Sequence, residues 1–178
     1  MDKIIRCITS DGSIMASCAE TSDIVHTAKK LHHTSPVATA ALGRMLTGAS
    51  MMGAQLKSKN GTITLRINGG GPIGCVVALA DSNGNCRGYV GNPDVETERY
   101  NNGKLNVGKA VGTDGTFNVM KDFGEGEPYL GAVEIVSGEI AEDITSYYAS
   151  SEQLPTACAL GVLVDKNDGE VMLSGGYI

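Results

Sequence analysis

From His33 to Lys57 the chain reads HTSPVATAALGRMLTGASMMGAQLK, and its apolar positions keep to no single side of a helix. Ser35 suits a helix cap and Pro36 the first turn, where a missing N–H costs nothing, so the start is well marked. At ~100° per residue, Leu42, Met45, Leu46, Ala49, Met52, Gly53 and Leu56 share one face. Val37, Ala40, Arg44, Thr47, Gly48, Met51 and Gln55 share the opposite one. Both faces are small or apolar, and Arg44 is the one charge between Ser35 and Gln55. The pattern predicts a helix covered on most sides, with Ala and Gly letting sheets approach closely. A membrane span needs ~20 apolar residues. Here Thr39, Arg44, Thr47, Ser50 and Gln55 interrupt the run and no positive flank follows.

The rest of the chain falls into shorter runs. Lys3 to Thr9 and Ser13 to Ala19 flank Ser10-Asp11-Gly12, a strong hairpin signal. Thr21, Ser22 and Asp23 offer caps for a helix in which Ile24, Val25, Ala28 and Leu31 recur at helical spacing. Thr62 to Ile67 alternates strictly, with Ile63, Leu65 and Ile67 on one side and Thr62, Thr64 and Arg66 on the other. Cys75 to Ala80 is apolar throughout, as in a strand covered on both faces, and Cys86 to Val90 follows the turn Asp81 to Asn85. Asp94 to Gly103 is polar and reads as a surface loop, while Leu105 to Val111 is short and ambiguous. Gly115 to Phe123 and Tyr129 to Val136 read as a hairpin. Ser137 caps a third helix with Ile140, Ile144, Tyr147 and Tyr148 as its inward stripe, ended by Leu154-Pro155. Cys158 to Val164 and Glu170 to Leu173 complete the strands before an abrupt stop at Gly175-Gly176-Tyr177-Ile178.

The expected fold is α+β: three helices and roughly nine strands in largely antiparallel sheets layered β/α/β around a buried central helix. At 178 residues, with no repeat or linker, one domain spanning 1–178 is the natural reading.

Composition narrows the function. A net charge of −6 with few charged residues gives no reason to expect nucleic acid, which needs clustered Lys and Arg. Charges in MDKIIRCITSDGS interrupt what would be the apolar core of a signal peptide, so a cytoplasmic protein is expected. Cys7, Cys18, Cys75, Cys86 and Cys158 lack any Cys-x-Cys or Cys-x-x-Cys spacing and are expected as free thiols.

Candidate chemistry is sparse. The loop Gly69 to Gly74 could present backbone N–H groups to a phosphate, but it precedes a strand and lacks the Lys-Ser or Lys-Thr of a P-loop. His26, His32 and His33 crowd one helix end without zinc-site spacing. The carboxylates at Glu96-Thr97-Glu98, Glu125-Gly126-Glu127 and Glu139 to Asp143 are explained by solvated loops and a helix start. Met45, Met51 and Met52 read as core packing before they read as an adaptable surface.

One pattern carries functional weight. Cys75 to Ala80, Val133 to Val136 and Leu160 to Val164 are apolar on both faces, more than three helices and a few loops readily cover. An uncovered sheet face would receive another chain; a closed sandwich is the alternative. Alternation nominates Ile63, Leu65, Ile67, Val133, Ile135, Val162 and Val164 as client-binding residues.

The runs SPVATAALGRMLTGASMMG, NGGGPIGCVVALAD, RGYVGNP, SEQLPTACALGVLVD and GGYI closely resemble the heat shock protein 33 family of redox-regulated holdase chaperones, also called 33 kDa chaperonins. The resemblance implies an ATP-independent cytoplasmic chaperone that binds unfolding proteins under oxidative and heat stress. It also implies a linker and a C-terminal zinc module with a disulfide switch, which these residues do not include. The expectation is therefore a core domain with no metal or redox residue of its own, able to hold clients or to form a homodimer by pairing or swapping strands. The alternative is a small-molecule or phosphate-binding enzyme built on Gly69 to Gly74.

Overall fold

The computed structural model describes residues 1–178. At its centre lies helix α2 (Pro36–Ala54), sixteen of whose nineteen residues are buried. Ser35 caps it by accepting the Ala38 N–H at 3.4 Å, and Pro36 occupies the first turn. Helix α1 (Ser22–His32) leads into it and buries Val25 and Ala28.

Two antiparallel sheets enclose α2. One has the order β1 (Lys3–Ile8), β2 (Met15–Glu20), β9 (Val171–Tyr177), β8 (Ala159–Val164). The other runs β5 (Cys86–Val90), β4 (Val76–Asp81), β3 (Thr62–Asn68), β6 (Thr116–Asp122), β7 (Tyr129–Glu134). The expected β/α/β layering is therefore present, with nine strands.

Register explains how a helix fits so tightly between sheets. On β3 and β4, Ile63 lies opposite Ala80 and Leu65 opposite Ala78, so each large side chain is paired with a small one. The alanines leave room for α2, whose Gly53 would place a Cβ only 2.9 Å from Ala80 Cβ. On the other side, a Cβ on Gly43 would lie 2.8 Å from Val162 Cγ2. Small residues on α2 thus set the distance to both sheets.

The helices differ from expectation in number and in one boundary. There are four: α3 (Val107–Val111) forms in the ambiguous stretch because Asn106 caps it, accepting the Lys109 N–H at 2.8 Å. Helix α4 (Ala141–Tyr147) begins after Ser137, not at it. Asp143 is the organising group: its buried carboxylate accepts the N–H of Val136 and Ile140 at 2.8 Å each and of Ser137 at 3.1 Å. A residue three places inside the helix thus gathers the free donors of the incoming turn. A π-type turn, Tyr148–Glu152, extends α4. Strand β9 runs on through Gly175 and Gly176, where a Cβ would meet the Ala19 and Ala159 carbonyls at 2.5 and 2.4 Å, so the strand spacing there favours glycine.

Candidate functional site: the outer face of the four-stranded sheet

Alternation on the four-stranded sheet separates two surfaces. Ser17 and Ala19 on β2, Val164 on β8 and Ser174 on β9 point inward and are buried. The opposite parity points away from α2 and carries Ile5, Leu163, Leu173 and Tyr177, which are 61%, 55%, 57% and 50% exposed. Cross-strand register brings these residues together: Ile5 is opposite Cys18, Cys18 is opposite Tyr177, and Leu163 is opposite Leu173. Cys7, Ala16, Ala159, Gly161 and Gly175 fill other positions on this side, and the cross-strand pair Lys3 and Glu20 puts charge at one end of it. Four strands at ~4.8 Å and about six residues at ~3.3 Å give a face on the order of 400 Å². That is the size of the largest apolar patch on a typical monomer, a patch that is often functional.

The other sheet sets the contrast. Its central strand turns Thr62, Thr64 and Arg66 outward with Asn118 beside them on β6, but Val77, Leu79 and Met120 share that face, and Tyr89 and Leu130 on its two edge strands are 53% and 73% exposed. The polar central strand splits the exposed apolar residues of that face, whereas Leu163, Leu173 and Tyr177 lie on the adjacent strands β8 and β9 of the four-stranded one.

The apolar face rests on a rigid polar seam. Thr21 Oγ1 lies 2.7 Å from Thr47 Oγ1 of α2 and 3.0 Å from Ser174 Oγ of β9, all three residues buried. Gln55 Nε2 donates to Ser17 Oγ at 3.3 Å, and Tyr148 Oη donates to Gln55 Oε1 at 3.0 Å. These bonds tie the inner side of β2 and β9 to the central helix, fixing the face above them.

Beside the β8 edge, Arg44 reaches Glu139. Its Nη1 donates to the Glu139 carboxylate and to the Glu139 carbonyl at 3.1 Å. The same carboxylate accepts the Tyr100 hydroxyl and the Gly108 N–H, each at 2.8 Å. Burial pushes the Glu139 carboxyl up, but the Gly108 N–H, Arg44 and Tyr100 outweigh it and hold it below its ordinary value.

A family model described as Hsp33 protein matches residues 2–178. The chain belongs to the Hsp33 family. This Hsp33 chain is 51% identical over 176 residues to the 33 kDa chaperonin of Alkaliphilus metalliredigens, covering 99% of itself and 60% of that protein. It is 52% identical over 178 residues to the 33 kDa chaperonin of Acetivibrio thermocellus, covering 99% of itself and 59% of that protein. The crystal structure of the 33 kDa chaperonin of Thermotoga maritima matches with a TM-score of 0.91 at 40% identity, over 98% of this chain and 59% of that one. The Hsp33 chain thus spans about three-fifths of the length of these relatives, which are named as chaperonins rather than as enzymes.

None of the residues nominated by alternation lies on the open face of this Hsp33 fold. Ile63, Leu65 and Ile67 are 0% exposed and pack toward α2 from the middle of the five-stranded sheet. Val133 pairs with the buried Phe117 and is half-buried, and Ile135 is buried. Val162 packs over Gly43 and Val164 is buried. The correction is one of parity: alternation finds the two sides of a strand, and the more aliphatic side is the one the core takes. On β8 both sides are apolar, so the outward set is Ala159, Gly161 and Leu163. The run Leu160 to Val164, apolar on both parities, carried the signal of an uncovered face; which parity the core covers is what the sequence left open.

The remaining candidates have structural roles. In the Gly69 to Gly74 loop, Gly71 N–H donates to the Val111 carbonyl at 2.9 Å and Ile73 N–H to the Ala110 carbonyl at 3.1 Å. Gly70 and Gly74 N–H groups donate to Asn68 Oδ1 and the Gly71 carbonyl. Those donors are taken, and the glycines serve the close approach of residues 110–113, with a Cβ on Gly69 falling 2.1 Å from the Gly112 carbonyl. His26 and Lys29 face Glu170 at 3.3 and 2.6 Å. No three His, Cys, Asp or Glu side chains gather as a metal would need. No helix is long and apolar enough to cross a membrane. All five cysteines are unpaired: Cys7 and Cys18 are exposed, while burial pushes the Cys86 and Cys158 thiols up to about 12.

Proposed function

We propose that this chain is the client-holding module of an ATP-independent holdase chaperone, and that the outer face of the β1, β2, β9, β8 sheet is where unfolding proteins bind. The observation that carries the reading is the juxtaposition of Ile5, Leu163, Leu173 and Tyr177, each at least half exposed, on one side of one sheet. Burial of apolar area is non-directional and demands no particular client sequence. It is itself the driving force, so no nucleotide is needed. Membership of a family whose relatives are named chaperonins supports the same reading.

The proposed setting is the cytoplasm under oxidative or heat stress. Redox control is assigned to a zinc-thiolate module outside these residues, and none to the five cysteines within them. Self-association through the free edges of β1 or β8 is compatible with client holding, because an edge and a face are separate surfaces.

The test is suppression of aggregation when a denatured reporter protein is diluted into buffer without ATP. The reading expects suppression in proportion to added chain, together with fluorescence of an apolar dye. Suppression that required ATP, or neither signal, would contradict it.

A further inference from the structure

A cleft of ≈ 860 Å³ crosses the outer face and continues over the β8 edge. Its floor on the sheet is the cross-strand pair Gly161 and Gly175, and the open space lies over Gly161, beside Leu163 and Leu173. Beyond the edge it is bounded by Arg44, Glu139 and the loop from Arg99 to Leu105. That loop is held by its own bonds: Tyr100 N–H donates to the Lys104 carbonyl at 2.9 Å, and Arg99 Nη1 donates to the Gly103 carbonyl at 3.1 Å.

Two properties of the cleft select an occupant. First, β8 has one partner strand, β9, so roughly half of its backbone N–H and C=O groups point into the cleft without a ladder partner. Second, its charge runs against that of the chain. The whole protein carries −6, yet four cations, Arg44, Arg99, Lys104 and Lys166, line the cleft against Glu20 and Glu139. Glu139 already accepts from Arg44, Tyr100 and Gly108. Arg99, Lys104 and Lys166 make no ion pair, and the buried Arg44 Nε has no acceptor.

We propose that this cleft receives an extended, acidic stretch of polypeptide that adds to β8 as a further strand, with its carboxylates meeting Arg99, Lys104 and Lys166. The backbone ladder supplies affinity and the cations supply selectivity for acidic sequence. The inference goes beyond the client-holding reading: the apolar face explains why unfolded chains stick, and the cleft says which segment is gripped and in what conformation. Gly161 is the natural blocking point. A Cβ there meets nothing within 4 Å, so a side chain enters the hollow without disturbing the sheet.

The probes are a fluorescent peptide alternating Val and Glu, its Val and Lys counterpart, and the acidic peptide N-methylated at alternate residues. Affinity is read by anisotropy, and the location by amide chemical shifts. The proposal expects the acidic peptide to bind more tightly than either control, with affinity falling as salt is raised and shifts centred on β8 and residues 99–105. Lys104→Glu with Lys166→Glu should weaken it about tenfold or more, and Gly161→Val should weaken it as well. Both variants are compared by circular dichroism, and the charge reversals should leave apolar-dye binding unchanged. Dye binding that persists while peptide selectivity fails would overturn the cleft alone; loss of both in the wild type would overturn the face as well. Equal affinity for acidic and basic peptides, indifference to N-methylation, wild-type affinity in the charge-reversed variant, or occupation of the β8 edge by a second copy of this chain would each overturn the proposal.

Discussion

Leu163 of β8 and Leu173 of β9 are direct cross-strand partners on the side of the sheet that faces away from the central helix, and each is more than half exposed. A pair of leucines in this position contributes little to folding, because the core lies on the other side of the same strands. Replacing both by Thr, which keeps β propensity and removes aliphatic area, should change stability by no more than about 0.5 kcal/mol. The same double variant should lose most apolar-dye binding and most suppression of aggregation. Urea unfolding and light scattering check the two halves of this prediction.

Gly53 of α2 offers a test of the layered packing. In an exposed helix, Gly→Ala would stabilise by up to about 1 kcal/mol. Here the added Cβ would sit 2.5 Å from the Asp81 carbonyl and 2.9 Å from Ala80 Cβ, with backbone on the opposing side unable to yield. Gly53→Ala should therefore destabilise by about 1–3 kcal/mol, the reverse of its propensity. The urea midpoint is the readout.

The Glu139 carboxyl is held below its ordinary value of 4.5, despite its burial, by the Gly108 N–H, Arg44 and Tyr100. A carboxyl depressed in the folded state adds stability that is full above its unfolded value and is lost as pH falls through the folded one. Stability should thus fall on acidification below about pH 4.5. Glu139→Gln should lower stability at neutral pH, by leaving Arg44 without its anion, and should make the acid limb shallower. A pH series of unfolding midpoints for both proteins measures this.

The thiols should divide into two classes. Cys7 and Cys18 are exposed, whereas burial pushes the Cys86 and Cys158 thiols up to about 12, so little thiolate forms there near neutral pH. Alkylation of the native chain, mapped by mass spectrometry, should modify Cys7 and Cys18 first and reach Cys86 and Cys158 only on unfolding. Because Cys18 lies between Ile5 and Tyr177 on the open face, a bulky polar reagent there should also reduce dye binding.

The central helix was legible in the sequence because a nineteen-residue segment with apolar residues on both sides and a single charge has few other solutions. The strand alternation of Thr62 to Ile67 and the Asp-Gly hairpin were legible for equally local reasons. What sequence did not carry was long-range choice. Asp143 displaces Ser137 at the start of α4 because its carboxylate meets several donors at once, a fact of three-dimensional geometry. Alternation likewise marked Ile63 and Val164 as apolar but not as inward. Only the position of α2 between the sheets decides that Leu163, one residue before Val164, is the one that faces out.

The most direct test of the account is the site at which a client touches the chain. A photo-activated cross-linking residue is placed at Leu173 on the apolar face and, in a second protein, at Thr64 on the outer face of the other sheet. With an unfolding reporter protein, the account predicts much stronger cross-linking from position 173 than from position 64. Equal yields from both positions, or a client captured only at position 64, would contradict it.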